Sequence, residues 1–195
     1  MEITQFPGLE DRVRDAQIIF RTLLNALSHP GTSQEVCVQL TPPPGLTLAC
    51  AAACLTLLDL ETTVWLNLEF ESEVKTWLKF HTGCHFTNHP ASANFAVIQN
   101  IKNRQPLSSF NWGTAEKPEL STTLFVQFEA LEKSELTRLK GPGIDGERAV
   151  KLPLSSSFIE EWQENYRSYP LGVDVFLFRG NTVVGLPRTT NLTQF

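Results

Sequence analysis

The most constraining feature of this sequence is a hairpin pattern in residues 168–189. Two apolar runs flank the turn pair Gly180-Asn181, which is typical of a β-hairpin. Asp174 stands at the start of the first run and Arg188 follows the second, so strand pairing brings these two side chains together. A carboxylate and a guanidinium in that position can form a bidentate pair. The pair either fixes the end of the hairpin or holds a ligand, and the spacing leaves both interpretations open.

The rest of the chain alternates helical and extended patterns. Residues 9–29 have apolar positions three and four apart and predict an amphipathic helix, which ends at His29-Pro30-Gly31. Its predicted buried face comprises Val13, Ala16, Phe20, Leu23, Leu24 and Leu27.

Further elements follow from the same patterns. Helices are predicted from Ser72 to Phe80 and from a capping box at Ser157 and Glu160 to about Tyr166. The predicted strands are Gln34–Leu40, Thr63–Leu68, Phe95–Gln99, Leu120–Phe128 and Arg148–Leu154. This order predicts an α/β fold, a single domain over residues 1–195 with a mixed sheet flanked by helices.

Two segments are unusual for their length or composition. Leu46 to Leu60 is apolar on almost every side, so we expect a helix that is buried all round or packs in a subunit interface. Its apolar core of about 13 residues is too short to span a bilayer, which needs roughly 20. Ile101 to Pro118 has no clear periodicity, which indicates a functional or partner-facing loop or a hidden short element.

Composition limits the classes of function. The chain has 42% hydrophobic and 19% charged residues, which is ordinary for a soluble globular protein. A formal net charge of −5 argues against a nucleic-acid-binding protein. We find no signal-peptide pattern and no membrane span, so we expect a cytoplasmic protein whose four cysteines are reduced.

Three histidines, His81, His85 and His89, are spaced by four residues, as metal ligands on one helix face would be. Gly83 and Pro90 make one continuous helix through them unfavourable, so we predict no metal site. Instead, His81 is expected near the carboxyl end of a helix that Gly83 terminates. A ligand or partner contact by His81 is the other interpretation.

Two charged residues are further candidates for ligand binding. Arg21 on the first helix can reach either a carboxylate of the sheet or a phosphate group. Glu119 can pair with Arg21, Arg104 or Lys117, or act as an acid or base. An isolated carboxylate is more often structural or solvated.

No nucleotide-binding motif is present. Lys140-Gly141-Pro142-Gly143 resembles an anion-binding loop only superficially, because Pro142 has no N–H donor. The sequence contains neither GxxxxGK[ST] nor GxGxxG. We therefore interpret this segment as a turn whose glycines permit positive φ angles.

Several short motifs, spread along nearly the whole chain, together resemble a known family, the H subunit (PhnH) of the carbon–phosphorus lyase system of bacterial phosphonate catabolism. No single motif is specific, but the occurrence of all of them in this order is much more specific. The motifs are Phe20-Arg21, Ser28-His29-Pro30-Gly31, Phe80-His81-Thr82-Gly83, Gly113-Thr114 with Pro118-Glu119, Gly141-Pro142-Gly143-Ile144, Pro170-Leu171-Gly172-Val173-Asp174 and Gly185-Leu186-Pro187-Arg188-Thr189.

This resemblance implies a fold similar to the large domain of pyridoxal-phosphate-dependent transferases, but without that cofactor. It implies a homodimer that joins the G, I and J subunits in a core assembly. That assembly transfers the ribose triphosphate of ATP to a phosphonate and displaces adenine, and the J subunit later breaks the carbon–phosphorus bond by radical iron–sulfur chemistry.

The resemblance supplies no catalytic set and no cofactor for this chain. We expect an accessory subunit without activity of its own; the alternative is a subunit of the same pathway that binds a phosphonate or nucleotide. A chance match of an unrelated α/β domain is the third reading. The candidate ligand-binding residues are Arg21, His81, Glu119, Asp174 and Arg188.

Overall fold

A computed structural model describes residues 6–67, 71–129 and 136–194 of the chain. Leu68, the predicted end of one strand, and both ends of the predicted domain lie outside these ranges. The helices within them are α1 (Arg12–Ser28), α2 (Leu48–Leu57), α3 (Glu71–Thr82) and α4 (Ser156–Arg167). None of these helices is long and apolar enough to cross a membrane.

The described strands form two sheets. They are β1 (Ser33–Glu35), β2 (Thr63–Asn67), β3 (His85–Phe86), β4 (Phe95–Ile98), β5 (Thr123–Gln127), β6 (Leu136–Lys140), β7 (Arg148–Lys151), β8 (Asp174–Arg179), β9 (Thr182–Leu186) and β10 (Asn191–Gln194). The large sheet has the order β1-β9-β8-β5-β4-β2-β3, and the small one β10-β6-β7. The predicted α/β class with a mixed sheet is confirmed, since β2, β3, β4, β5 and β8 pair in parallel, whereas β9 is antiparallel to both of its neighbours, β8 and β1.

The large sheet separates two hydrophobic cores. On β5, Phe125 points towards α1, α2 and α3, whereas Leu124 and Val126 point towards α4 and the small sheet. On β8, Phe176 and Phe178 lie on the first side. Alternate residues of a strand face opposite sides, so both central strands must be apolar on both faces.

Helix α2 is buried within the chain itself. Residues 49–54 have no exposed surface, because α1, α3 and the sheet enclose them. The interpretation of this helix as a subunit interface therefore loses its basis, and burial by the chain's own elements accounts for its composition. The side chain of Gln127 fixes the loop before it by accepting from Thr47 N (2.6 Å) and donating to Gly45 O (2.9 Å).

The predicted buried face of α1 is partly wrong. The helix forms with Asp11 as its N-cap, but its buried residues are Ile19, Leu23 and Ala26. Three residues assigned to the core are exposed instead: Val13 by 83%, Phe20 by 50% and Leu24 by 54%. The helix has apolar residues on two faces, and spacing alone does not say which one the sheet covers.

Two other predictions concern element boundaries. Helix α4 begins two residues earlier than the capping-box prediction: Ser155, not Ser157, caps it by accepting from Phe158 N at 3.2 Å. The predicted short element in the 101–118 connection exists as 3-10 helices, which include Ile101–Asn103 and Leu107–Ser109.

A salt bridge holds that connection against α4. Both guanidinium Nη atoms of Arg104 donate to Glu161, at 2.8 and 2.9 Å, and Leu107 N donates to the same carboxylate at 2.7 Å. Burial alone would raise the pKa of Glu161, but these three donors outweigh it and lower the pKa. The long connection is therefore an anchored part of the fold.

The hairpin turn between β8 and β9 forms hydrogen bonds with two other parts of the chain. Gly180 O accepts from Ala49 N at the start of α2 (3.0 Å), and Asn181 O accepts from Val36 N just after β1 (2.8 Å). The Asn181 side chain donates to Glu35 at 2.7 Å. The turn thereby joins β1, α2 and the hairpin.

The closest approach of α1 to the sheet depends on Gly185. A Cβ on this residue would lie 2.5 Å from the backbone C and O atoms of Ala26. We expect Gly185→Ala to lower the free energy of unfolding by about 3 kcal/mol or more, because helix and strand must separate. Urea denaturation measures this loss.

Gly180→Ala is the matched control, because a Cβ there meets nothing within 4 Å and only its φ of +57° is unfavourable. It should cost about 1–2 kcal/mol. Equal losses in both variants would contradict the close-packing account.

Candidate functional site

The predicted Asp174–Arg188 pair is present at the end of the hairpin. Asp174 Oδ1 accepts from Arg188 Nε at 3.2 Å, and Oδ2 accepts from Arg188 Nη2 at 2.6 Å. The Arg188 backbone N–H also donates to Oδ1 at 2.8 Å. The two side chains meet because Val175 pairs with Leu186, which brings the residues flanking both strands together.

All five donors of the Arg188 guanidinium are used within the protein. Besides Asp174, Nη1 donates to Pro118 O (3.1 Å) and Pro170 O (3.2 Å), and Nη2 donates to Ser121 Oγ (2.5 Å). The side chains of Arg188 and Asp174 are only 12% and 23% exposed. Arg188 thus fastens three separate segments of chain, and this favours the structural interpretation of the pair over the ligand-binding one.

A shallow depression of about 440 Å³ surrounds this pair. Glu119 lies at its rim, exposed, and forms no ion pair or hydrogen bond with any described residue, so neither Arg104 nor Lys117 pairs with it. Asp174 is in register with Thr123, the first residue of β5, so the depression lies at the amino ends of the parallel strands. Open α/β sheets bind ligands mainly at the carboxyl ends, which also argues against a binding site here.

The other two candidate residues lie elsewhere. Arg21 is exposed on α1 and forms no ion pair with a described residue, so the predicted pair with a carboxylate of the sheet does not form there. His81 is in the last turn of α3 and lines a separate recess of about 300 Å³ with Arg12 and Phe80. The structure therefore brings together Glu119, Asp174 and Arg188, but not all five.

His81 occupies the helix end that its sequence predicts. Gly83, with φ +74°, terminates α3 and donates from its N–H to Lys79 O at 3.1 Å. The His81 ring lies edge-on to Trp77, with Nε2 3.3 Å from Phe6 O. Burial, supported by the Arg12 charge, lowers the pKa of His81.

The three histidines do not form a metal site. His85 lies in β3 and His89 precedes a 3-10 helix, both exposed. Among the residues that the structure describes, no group of three or more His, Cys, Asp and Glu side chains could hold a metal ion. The cysteines are free, and burial raises the pKa values of the Cys54 and Cys84 thiols, which makes them poor nucleophiles.

The Lys140–Gly143 segment is a turn, as interpreted from the sequence. Gly141 and Gly143 have φ angles of +145° and +79°. A Cβ on Gly143 would collide with the backbone O of Ser28 at the end of α1, so this turn packs directly on that helix. Its glycines serve close packing.

Sequence reasoning missed the contacts that Arg188 and Arg148 make with backbone carbonyl groups. Arg148 Nη1 donates to Pro30 O and Thr32 Oγ, both at 2.6 Å, and so joins the small sheet to the end of α1. A carbonyl oxygen exists at every residue, so no sequence signal identifies which one accepts. The sequence shows only that Arg188 follows a predicted strand and that Arg148 lies within one, which is a weak indication of an anchoring role.

Comparisons with known proteins give one consistent family. The family model described as "Bacterial phosphonate metabolism protein (PhnH)" matches residues 7–193. The chain is 35% identical over 186 residues to the Rhizobium meliloti (strain 1021) protein "Alpha-D-ribose 1-methylphosphonate 5-triphosphate synthase subunit PhnH", covering 94% of this chain and 93% of that protein. It is 32% identical over 81 residues to "Putative C-P lyase subunit protein HtxG" of Stutzerimonas stutzeri, covering 41% and 42% of the two chains.

The ion pair of Arg188 and Asp174 should contribute to the stability of the folded chain. Arg188→Ala leaves Asp174, which is 23% exposed, without its guanidinium partner. We expect a loss of about 2–3 kcal/mol in the free energy of unfolding, less than the loss for fully buried pairs because water reaches part of the carboxylate. Arg21→Ala, at an exposed site, should change it by less than about 0.5 kcal/mol. An Arg188→Ala loss no larger than this control would refute the anchoring role.

His81 generates a pH prediction. Since its pKa in the folded chain is lowered from 6.5, the unfolded chain binds the proton more tightly. The corresponding stability is present above pH 6.5 and is lost as the pH falls below that value. Urea unfolding of the wild type and of His81→Gln between pH 8 and pH 5 should show a smaller acid-side loss in the variant. Parallel pH profiles would rule out this contribution of His81.

Proposed function

Because this chain belongs to the PhnH family of bacterial phosphonate metabolism proteins, we propose that it is an accessory, non-catalytic subunit of a carbon–phosphorus lyase core assembly. The observation that carries the proposal is a match over nearly the full length of both chains to a protein named as a synthase subunit. In this role the chain supports transfer of ribose 5-triphosphate from ATP to a phosphonate, with release of adenine.

The geometry of the candidate residues supports an accessory role. Every donor of Arg188 is used inside the protein, and His81 and Arg21 lie apart from Asp174. A catalytic group must be free to touch a substrate and must have a partner that activates it. Among the described residues, the five candidates do not form such a group.

The proposal includes the similarity to the large domain of pyridoxal-phosphate-dependent transferases, without the cofactor. A mixed sheet with helices packed against it is compatible with that fold. A lysine that forms a Schiff base is usually desolvated. The lysines that the structure describes are all exposed or half-exposed, which suits the proposed absence of the cofactor.

The partners in this proposal are a second copy of the chain and the G, I and J subunits, in the cytoplasm. We expect the tagged chain, co-expressed with those subunits, to yield a complex of fixed stoichiometry on affinity capture followed by size exclusion with light scattering. A chain that captures none of the three subunits would sink the proposal.

The alternative, a phosphonate- or nucleotide-binding subunit, predicts a different result. If Arg188 holds such a ligand, methylphosphonate or ATP should raise the melting temperature saturably, and Arg188→Ala should abolish the rise. We expect flat titrations for the isolated chain, because the guanidinium has no donor to spare. A saturable rise that Arg188→Ala removes would favour the alternative.

A further inference from the structure

The outward side of helix α1 carries an apolar stripe that nothing in the described chain covers. Val13, Phe20 and Leu24 are 83%, 50% and 54% exposed, and Gln17 lies between them. They follow one another at spacings of four, three and four residues, which keeps all four on one line along the helix. The stripe from Val13 to Leu24 is about 16 Å long, at 1.5 Å per residue.

The spacing of this stripe is that of a helix–helix seam. Alternating steps of three and four residues place apolar side chains where a second helix can insert its own between them. An isolated exposed apolar residue needs no explanation, whereas three in line on one helix offer a surface that a partner can cover. The other face of the same helix, with Ile19, Leu23 and Ala26, is buried on the sheet.

Two arginines border the stripe on one flank. Arg14 and Arg21 are seven residues apart, so they point the same way from the helix, and both are exposed. Neither forms an ion pair or a side-chain hydrogen bond with a described residue. A partner that covers the stripe therefore gains by placing a carboxylate beside this flank.

The surroundings of Arg14 restrict where that carboxylate can lie. A groove of about 680 Å³ beside Arg14 is lined by Glu10, Asp11, Asp15 and Glu35. These acidic side chains repel a further carboxylate at that end of the helix. The favourable position is therefore beside Arg21, and this asymmetry also sets the direction of the partner.

A second copy of α1 does not fit these requirements. In an antiparallel two-fold pair, the arginine flank of one helix meets the arginine flank of the other. The register that places Val13 opposite Leu24 of the copy then brings Arg14 close to Arg21 of the copy, and the two like charges repel. In a parallel pair the arginines face the opposite flank, where α1 offers Ala16 and Leu27. Neither arrangement gives Arg21 a carboxylate from α1.

We propose that the outer face of α1, formed by Val13, Phe20, Leu24 and Arg21, docks an apolar helix with an acidic flank from a different subunit of the assembly. This inference rests on the proposed function and adds the surface through which the chain joins its partners. Phe20 is the central anchor, because aromatic side chains at the middle of an interface carry much of its energy.

The test is capture of co-expressed G, I and J subunits by tagged variants. Phe20→Glu and Leu24→Glu should each reduce the amount of captured subunits at least about tenfold, and Arg21→Glu should reduce it severalfold. Leu60→Glu is the matched control, since Leu60 is 71% exposed but lies outside the stripe. It should capture as much as the wild type.

Two readouts separate docking from folding and from ion pairing. Circular dichroism and urea midpoints should be unchanged, because glutamate is a good helix former and the substituted positions are exposed. Capture by the wild type should weaken as salt rises, and capture by Arg21→Ala should depend on salt less. If either Phe20→Glu or Leu24→Glu fails to fold, the remaining one and Arg21→Glu still test whether this face of α1 docks the partner.

The other outcomes overturn the inference in distinguishable ways. If the wild type and Phe20→Glu capture equally, α1 is not the docking face, and the proposed function stands. If Phe20→Glu instead halves the mass of the isolated chain while capture persists, the stripe joins two copies of this chain. If even the wild type captures no subunit, the proposed function fails and the inference fails with it.

Discussion

Strands β5 and β8 sit side by side in the large sheet, and their apolar side chains on both faces demand a cover on each side. Phe125, Phe176 and Phe178 are covered by α1, α2 and α3, and the residues between them by α4 and the small sheet. Burying alternate side chains on opposite faces requires two separate cores. The helices on one face and the small sheet with α4 on the other must therefore stay packed against the large sheet. The burial of α2 and the hydrogen bonds that anchor the loops both contribute to this packing.

Local patterns predicted the elements that depend on local physics. The hairpin, the Gly83 helix end and the central position of β5 follow from turn residues and from apolar periodicity, and the structure contains them. The buried face of α1 could not be chosen in this way, because α1 has apolar residues on two faces and only the position of the sheet decides between them. The cap of α4 was missed by two residues, since consecutive serines offer equivalent caps.

The candidate site shows the same division. Asp174 and Arg188 belong to one hairpin, so their pairing could be predicted from the strand register. The contacts that decide the role of Arg188 come from Pro118, Ser121 and Pro170, whose groups have no recognisable sequence signature. Arg21 and His81 were candidates because they are charged or titratable residues within the motifs of the family. No local sequence pattern indicates that they lie far from Asp174 and Arg188.

The turn at Gly180-Asn181 has a consequence for how the chain acquires its fold. Strand β1 pairs with β9, and α1 packs on β9, although about 150 residues separate them in sequence. The amino-terminal helix and strand therefore lack their final packing surface until the hairpin has left the ribosome. During synthesis α1 can already pack on α2, but the part of its apolar face that β9 covers stays exposed until then. Exposed apolar surface of this kind favours aggregation of incompletely folded chains. Loss of the last strands would remove the strand on which both α1 and β1 pack.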